Sequence, residues 1–387
     1  LRILYVTPWF PRHPEDPDGS YIWDAVQALQ ALGHEVDILV TQTWKPGWFR
    51  AWFRKDCWVR SLGLNIKWCY YFSIPRHYLR FISNWSYIVR VAPMIKRLNK
   101  QRPYHLINAQ TSVAGLAVVK MGKQLNIPTV LTMHGIDTSL RMWAGHSGKM
   151  LFDALSQADR AVFVGDPLVR HFARYLQKTE HIRVVYNGFR LYPKMKNVPQ
   201  ENWPKQLRLI SVSNLVKEKG IEINIKALAA LKKEGIKNWH YKVIGGGCER
   251  SKLEDLVASL GLCDQIEFIG VCDHKRVYQY LQNSDVFCLP SYREAFGIAY
   301  AEAMANGLLT IAVVGEGAEA FITHGKTGLM MEPENIEHLV VLLKQVFGER
   351  ERMQAIAREG KAFVLNNFTW ENHAKHLVNV YLEAINA

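Results

Sequence analysis

One feature constrains the fold more than any other: short apolar runs alternate with helix-period segments, and the alternation is set out twice. Ile3 to Val6 reads as a strand. Ser20 reads as the cap of a helix over 21–32, which Gly33-His34 ends, and Glu35 to Val40 returns as a strand. Parallel neighbours need a crossover of this kind, so a parallel sheet follows. Further strands are expected at 104–108, 128–133, 160–164 and 182–186, with helices at about 113–125 and 149–157. Residues 188–206 carry Gly188, Pro193, Pro199 and Pro204 and read as a linker. A second set begins at Leu207 to Val212. Its later strands are expected at 241–244, 266–269, 286–289 and 309–313, and its helices at about 221–234, 250–260, 274–283 and 298–306. The end reads as helical over 335–347, 351–366 and 370–385. The expected fold class is α/β, with two doubly wound, Rossmann-like domains in tandem, 1–190 and 191–369.

A chain of 387 residues is too long for one ordinary core, which agrees with two domains. The six cysteines show no C-x-x-C pair and read as free thiols of a reducing compartment, not as a zinc or disulfide framework. No apolar run is long enough to span a bilayer, and the chain opens on a strand. A cytoplasmic location is the expectation.

Charge is distributed unevenly. Residues 1–190 hold 25 Lys+Arg against 12 Asp+Glu, and residues 191–387 hold 23 of each, so the first half carries the whole excess of +13. Nine of the twelve Trp lie there too. Two segments mix aromatic and basic residues. The first contains Trp48, Arg50, Trp52 and Arg54; the second runs from Arg76 through Arg80, Trp85 and Arg90 to Arg102, with apolar residues near helical spacing. Such segments suit an anionic membrane interface, or else a solvated helix face over a core. Single-stranded nucleic-acid grooves use related chemistry, but no RNP-type or helix-turn-helix signature accompanies it, so no nucleic-acid partner is expected.

The chemistry concentrates in Ser291–Asn306. An apolar strand ends at Pro290, a turn follows, and a helix starts at Gly297-Ile298. Glu294 and Glu302 bracket that start, eight residues apart. On one helix they would lie about 80° apart; a loop and a helix converging from two sides is the more productive arrangement. The free N–H groups of the helix start suit a phosphate. His134 follows a strand. Lys219 precedes a helix, and Gly245-Gly246-Gly247 follows a strand. Asp16-Pro17-Asp18 matches a metal-binding D-x-D in form, but its Pro-rich loop reads as a solvated turn.

Ser291-Tyr-Arg-Glu-Ala-Phe-Gly-Ile-Ala-Tyr-Ala-Glu-Ala-Met-Ala-Asn-Gly307 resembles the nucleotide-sugar site of the family 4 retaining glycosyltransferases, which have the GT-B fold of two Rossmann-like domains with a cleft between them. The resemblance extends over Gly33-His34-Glu35-Val36, Asn187-Gly188, Lys217 to Gly220, Gly245 to Glu249, Gly325-Lys-Thr-Gly328 and the last helix. Within the family, Asn214 to Gly220 and Gly315 to Glu319 look most like teichuronic-acid and exopolysaccharide enzymes. The resemblance implies roles. Glu294 would hold donor-sugar hydroxyls, and Phe296, Gly297 and Ile298 would present N–H groups to a donor phosphate. Glu302 would take the ribose hydroxyls, and Lys219 would neutralise the diphosphate. His134 would stand near the reacting centre. Asn214, Gly245 and Gly246 would flank the nucleotide, and Gly19 would belong to the acceptor loop. Asn214 stands where many members have Arg, and only Gly19 remains of a loop that usually has paired glycines. A last helix over about 370–387 would cross back to the first domain. The implied protein is a metal-independent hexosyltransferase without a cofactor. It would use a nucleotide sugar, UDP-linked in the family's manner, with a lipid-linked or saccharide acceptor, on the inner face of the cell membrane. A GT-B sugar-nucleotide epimerase and a non-catalytic nucleotide- or nucleic-acid-binding protein are the alternatives.

Overall fold

The computed structural model describes residues 1–13, 16, 19–44, 63–73, 80–135, 145–176, 179–190, 192 and 203–387, with backbone alone at 80 and 145–147. Trp48, Arg50, Trp52, Arg54, Arg76 and the Arg80 side chain lie outside the described residues. The chain divides into two compact units: residues 1–188 with 370–387, and residues 189–369.

The first unit is built on β1 (Arg2–Thr7), β2 (Glu35–Thr43), β3 (Ile66–Tyr71), β4 (Leu106–Ala109), β5 (Thr129–Met133), β6 (Arg160–Phe163) and β7 (Ile182–Val184). They form one sheet in the order β3-β2-β1-β4-β5-β6-β7, and each pairing is parallel. Every residue of β1, β4 and β5 is buried, as expected of strands covered on both faces. The helix Ser20–Ala31 covers one face with Ile22, Val26 and Leu29. The helix Trp370–Ile385 packs there too, through Ala374, Leu377 and Tyr381. Tyr381 is fixed by its polar end: its hydroxyl lies 2.8 Å from that of Tyr5 and accepts from Asn108 Nδ2 at 2.6 Å. Asn108 Oδ1 in turn accepts from Thr132 Oγ1 at 3.0 Å. A buried tyrosine needs such partners, because an unpaired hydroxyl in a core is costly.

The second unit repeats the plan. It contains β8 (Leu207–Val212), β9 (Trp239–Ile244), β10 (Ile266–Gly270), β11 (Val286–Cys288), β12 (Leu309–Val313) and β13 (Leu329–Met331). Their order is β10-β9-β8-β11-β12-β13, again parallel throughout. The strand order turns back between β8 and β11. Arg208 and Asp285 clamp the amino ends of that pair: Nη2 donates to Oδ1 at 2.7 Å, and the Arg208 N–H and Nε donate to Oδ2 at 2.8 and 3.0 Å. Ligands of doubly wound sheets bind at the opposite, carboxyl ends, at such a turning point.

Two parallel, doubly wound sheets agree with the fold expected from the sequence. Several elements differ in detail. Ser20 is the first helical residue and not the cap; Gly19 takes that place with φ +79°. Its conformation is required by crowding as well, since a Cβ there would meet the Trp9 and Phe10 backbone at 2.7 Å. The edge strand β3, Ile-Lys-Trp-Cys-Tyr-Tyr, was not anticipated, because a half-exposed edge shows no unbroken apolar run. The three-residue β13 and the seven-residue helix Asp166–Phe172 are too short to show a period.

Candidate functional site

Residues brought together at the β8–β11 turning point come from three short connections. After β8 the chain runs through Asn214, which is exposed, to a single turn of 3₁₀-helix at Lys217–Lys219. Gly220 then starts the helix Ile221–Lys233 with φ +66°, and a Cβ there would stand 2.2 Å from Pro290 O. Only glycine lets this loop lie against the one after β11. The result is a direct ion pair. Lys219 Nζ donates to Glu294 Oε2 at 2.6 Å, with both side chains largely shielded from solvent. Tyr292 N–H donates to Glu218 O at 2.9 Å and joins the same two loops through backbone.

The turn holding Glu294 is strained and braced. Arg293 has φ +65°, unusual for a residue with a Cβ, and strain of this kind is kept where the surroundings over-determine it. The brace is Glu316, whose Oε2 accepts from the Glu294 N–H at 2.7 Å, while Gly317 N–H donates to Glu294 O at 2.9 Å. Glu316 was not singled out in the sequence; only its place in Gly315-Glu-Gly317 hints at a fixed loop. Gly297, at φ +85°, precedes the helix Ile298–Ala305. Phe296 is buried against Phe321 and Phe368, so its side chain serves packing and only its backbone borders the helix start.

Glu302 lies inside that helix, 9% exposed, with Oε1 3.9 Å from His274 Nδ1 at the start of the helix His274–Gln282. The two acids therefore do not meet: Glu294 faces Lys219 and Glu302 faces His274. Gly245 and Gly246 follow β9. Gly245 has φ +131°, and a Cβ on it would be 1.8 Å from Ser213 O, so the loops after β8 and β9 touch through backbone.

His134 sits in the other unit, immediately after β5. Its Nε2 pairs with Gln110 Oε1 at 2.7 Å, and its ring lies 4.9 Å from that of Tyr21. Gln110 follows β4 directly, and its N–H donates to Val6 O at 2.9 Å, which places it at the turning point between β1 and β4. These residues line a small recess with Asn187, Trp370 and His373. His134 Nδ1, Asn187 Oδ1 and Trp370 Nε1 are buried there without a hydrogen-bond partner among the described residues. Polar atoms left so await a polar occupant. Burial, with His373 adding to it, pushes the His134 ring down to about 3, so it is neutral near pH 7. Burial likewise lowers His373, to about 4, against the opposing pull of Tyr186 O, which its Nδ1 meets at 2.8 Å. Gly19 caps the helix that carries Tyr21. Trp85 and Arg90 are exposed on the helix Arg80–Gln101, where Arg90 Nε turns to β3 and donates to Tyr70 O at 3.3 Å. Among the described residues, no three His, Cys, Asp or Glu are grouped as a metal ion would need.

Comparison with known proteins decides the family. Residues 19–191 match the model of Glycosyltransferase Family 4, and residues 194–363 match that of Glycosyl transferases group 1. The chain belongs to these GT-B glycosyltransferases. The glycosyltransferase is 27% identical over 212 residues to an uncharacterised glycosyltransferase of Methanocaldococcus jannaschii, a match covering 52% of this chain and 54% of the relative. It thus spans about half the length of that relative. Among solved structures, it is similar to the sucrose-phosphate synthase of Thermosynechococcus elongatus, with TM-score 0.75, 19% identity and 100% of each chain covered. It is also similar to HepE of Anabaena in complex with UDP, with TM-score 0.74, 17% identity, and 98% and 99% of the two chains covered. No helix among the described residues of the glycosyltransferase is long and apolar enough to cross a membrane.

Proposed function

We propose that this glycosyltransferase moves a hexosyl group from a UDP-sugar, with retention of configuration and without a metal ion, to a lipid-linked or saccharide acceptor of bacterial surface polysaccharide. It would work in the cytoplasm, on the inner face of the cell membrane. The observation that carries the donor reading is the shielded Lys219–Glu294 pair at the carboxyl end of β8 and β11. An ammonium with a neighbouring helix start is the equipment that a diphosphate leaving group requires. A nucleotide adds support, since the similar HepE structure holds UDP. In this reading Lys219 takes the diphosphate and the N–H groups after Phe296 take its second phosphate. Glu294 then turns to the sugar hydroxyls, and Glu302 with His274 takes the ribose. Asn214, Gly245 and Gly246 border the nucleotide.

The other unit would hold the acceptor, with Gly19 and Tyr21 in its loop and neutral His134 supporting the sugar as positive charge develops. No carboxylate here is assigned as a covalent nucleophile. Departing diphosphate oxygen would accept the acceptor proton on the face from which the leaving group departs. A thermal-shift screen of UDP- and other nucleotide sugars, followed by proton NMR of the product with the best hit, tests this. A UDP-sugar that stabilises the protein and yields a product of unchanged anomeric configuration is expected. An inverted product, or sugar isomerised without any acceptor, would overturn it.

A further inference from the structure

The recess beside His134 is closed by the last helix, Trp370–Ile385. Trp370 and His373 reach it from that helix, and His134 and Asn187 from the connections after β5 and β7. Each is pinned by a neighbour. His134 Nε2 meets Gln110 Oε1 at 2.7 Å, and the Trp370 ring stands edge-on to that of His373, with centroids 5.1 Å apart. His373 Nδ1 donates to Tyr186 O at 2.8 Å, and Tyr186 precedes Asn187. The last helix and the connection after β7 are thereby tied together around the recess. Other polar groups there are already engaged: the Tyr5 hydroxyl with Tyr381, and Thr132 Oγ1 with Asn108. His134 Nδ1, Asn187 Oδ1 and Trp370 Nε1 are buried and have no partner among the described residues.

The chemistry of these three atoms defines their occupant. A carboxamide oxygen such as Gln110 Oε1 only accepts, so the neutral His134 ring carries its hydrogen on Nε2 and presents a lone pair at Nδ1. Asn187 Oδ1 is also an acceptor, and the Trp370 indole is a donor and nothing else. The occupant must therefore accept one hydrogen bond and donate two. A cation would face the indole N–H, and an anion would face two lone pairs. Water meets all three demands, and three bonds is the usual number for a buried one. Size agrees. The recess has a volume of about 10 Å³, close to the least that admits a single water and too little for a sugar or a phosphate. Ile22, Ala25 and Leu377 add apolar walls that offer no competing bond.

We infer that one resident water, held by Trp370 and Asn187, positions His134 by donating to its Nδ1. It fixes the tautomer of the ring and its tilt, and so the direction in which the ring faces the reacting groups. Trp370 is then a positioning residue, supplied by the last helix from far along the chain. The inference rests on the transfer reading only for its effect on catalysis; the water site does not depend on it.

A crystal structure of the whole chain without sugar nucleotide, at a resolution that shows ordered water, tests the site directly. One peak within hydrogen-bonding distance of all three atoms is expected. Nitrogen-15 NMR of the histidine rings should show His134 as a single Nε2–H tautomer. Trp370→Phe keeps an aromatic ring against His373 and removes the N–H. It should lose the peak, give His134 a mixture of tautomers, and lower kcat for transfer about tenfold, with KM for the sugar nucleotide within about twofold of wild type. A merely structural role for Trp370 would move the melting temperature and leave the tautomer alone. Should Trp370→Phe fail to fold, the wild-type density and tautomer still decide. An empty recess, an Nδ1–H tautomer in the wild type, or a Trp370→Phe protein that retains the single tautomer and full kcat would overturn the inference. Density and tautomer are read without any sugar donor, so a water in place with no transfer from any UDP-sugar would count against the transfer reading alone.

Discussion

At the scale of single residues, Glu294 and Lys219 are paired with each other and are proposed to meet the donor instead. Their ion pair at 2.6 Å is partly shielded, and a pair of this kind adds little stability once its desolvation is counted. Lys219→Ala should therefore leave the melting temperature nearly unchanged and lower sugar transfer at least about a hundredfold, the usual scale for losing one electrostatic contact to a leaving group. Transfer within threefold of wild type would remove Lys219 from the site. Arg293 gives a complementary prediction. Its φ of +65° costs about 1 kcal/mol that glycine does not bear. Arg293→Gly should raise stability in urea unfolding by about that amount, less the added freedom of the unfolded glycine. Part of the geometry was legible beforehand. Glu294, Lys219 and His134 stood out because each lies just beyond a strand or before a helix. Glu316, His274 and Gln110 did not, because each meets its partner, Glu294, Glu302 or His134, from a connection distant in sequence, which only the strand order reveals.

At the scale of elements, close backbone approach shapes the second unit. The Cβ that Gly220→Ala adds would meet Pro290 O at 2.2 Å, at a φ of +66°. The loops carrying Lys219 and Glu294 must then separate. Loss of more than about 1 kcal/mol of stability is expected together with weaker UDP binding; a stable variant with unchanged UDP binding would show that this approach does not matter. The Arg208–Asp285 clamp behaves differently, since it lies at the far ends of the strands. Arg208→Ala leaves a buried carboxylate with one backbone donor, and should cost about 3 kcal/mol in urea unfolding with UDP affinity unchanged. Buried parallel strands were legible because they are largely apolar, as in Val286–Cys288. The edge strand Ile66–Tyr71 was not, since one of its sides has no neighbour to demand apolar residues.

At the scale of the molecule, the two halves of the chain differ in charge. In the first unit His134, half-buried, and His373, buried, are lowered to about 3 and about 4 from an ordinary 6.5. The unfolded chain binds their protons first, so the folded state gains stability as pH rises through this window and has the full benefit above 6.5. Acidification from pH 6.5 toward 4 should lower the stability of the first unit by up to about 1.4 kcal/mol per pH unit for each histidine. His373→Gln, read by melting curves across that range, should flatten the dependence. Which reaction a GT-B chain performs was legible only as a class, because the fold is shared while sugar and acceptor are selected by a few side chains on loops. The central claim is that Lys219 holds the diphosphate and Glu294 the sugar. Calorimetric titration of wild type, Lys219→Ala and Glu294→Gln with UDP and with the UDP-sugar found by screening tests it most directly. The account predicts that Lys219→Ala weakens both ligands by at least about tenfold, whereas Glu294→Gln keeps UDP affinity and loses only the gain the sugar provides. Equal affinities for both ligands in all three proteins would contradict it.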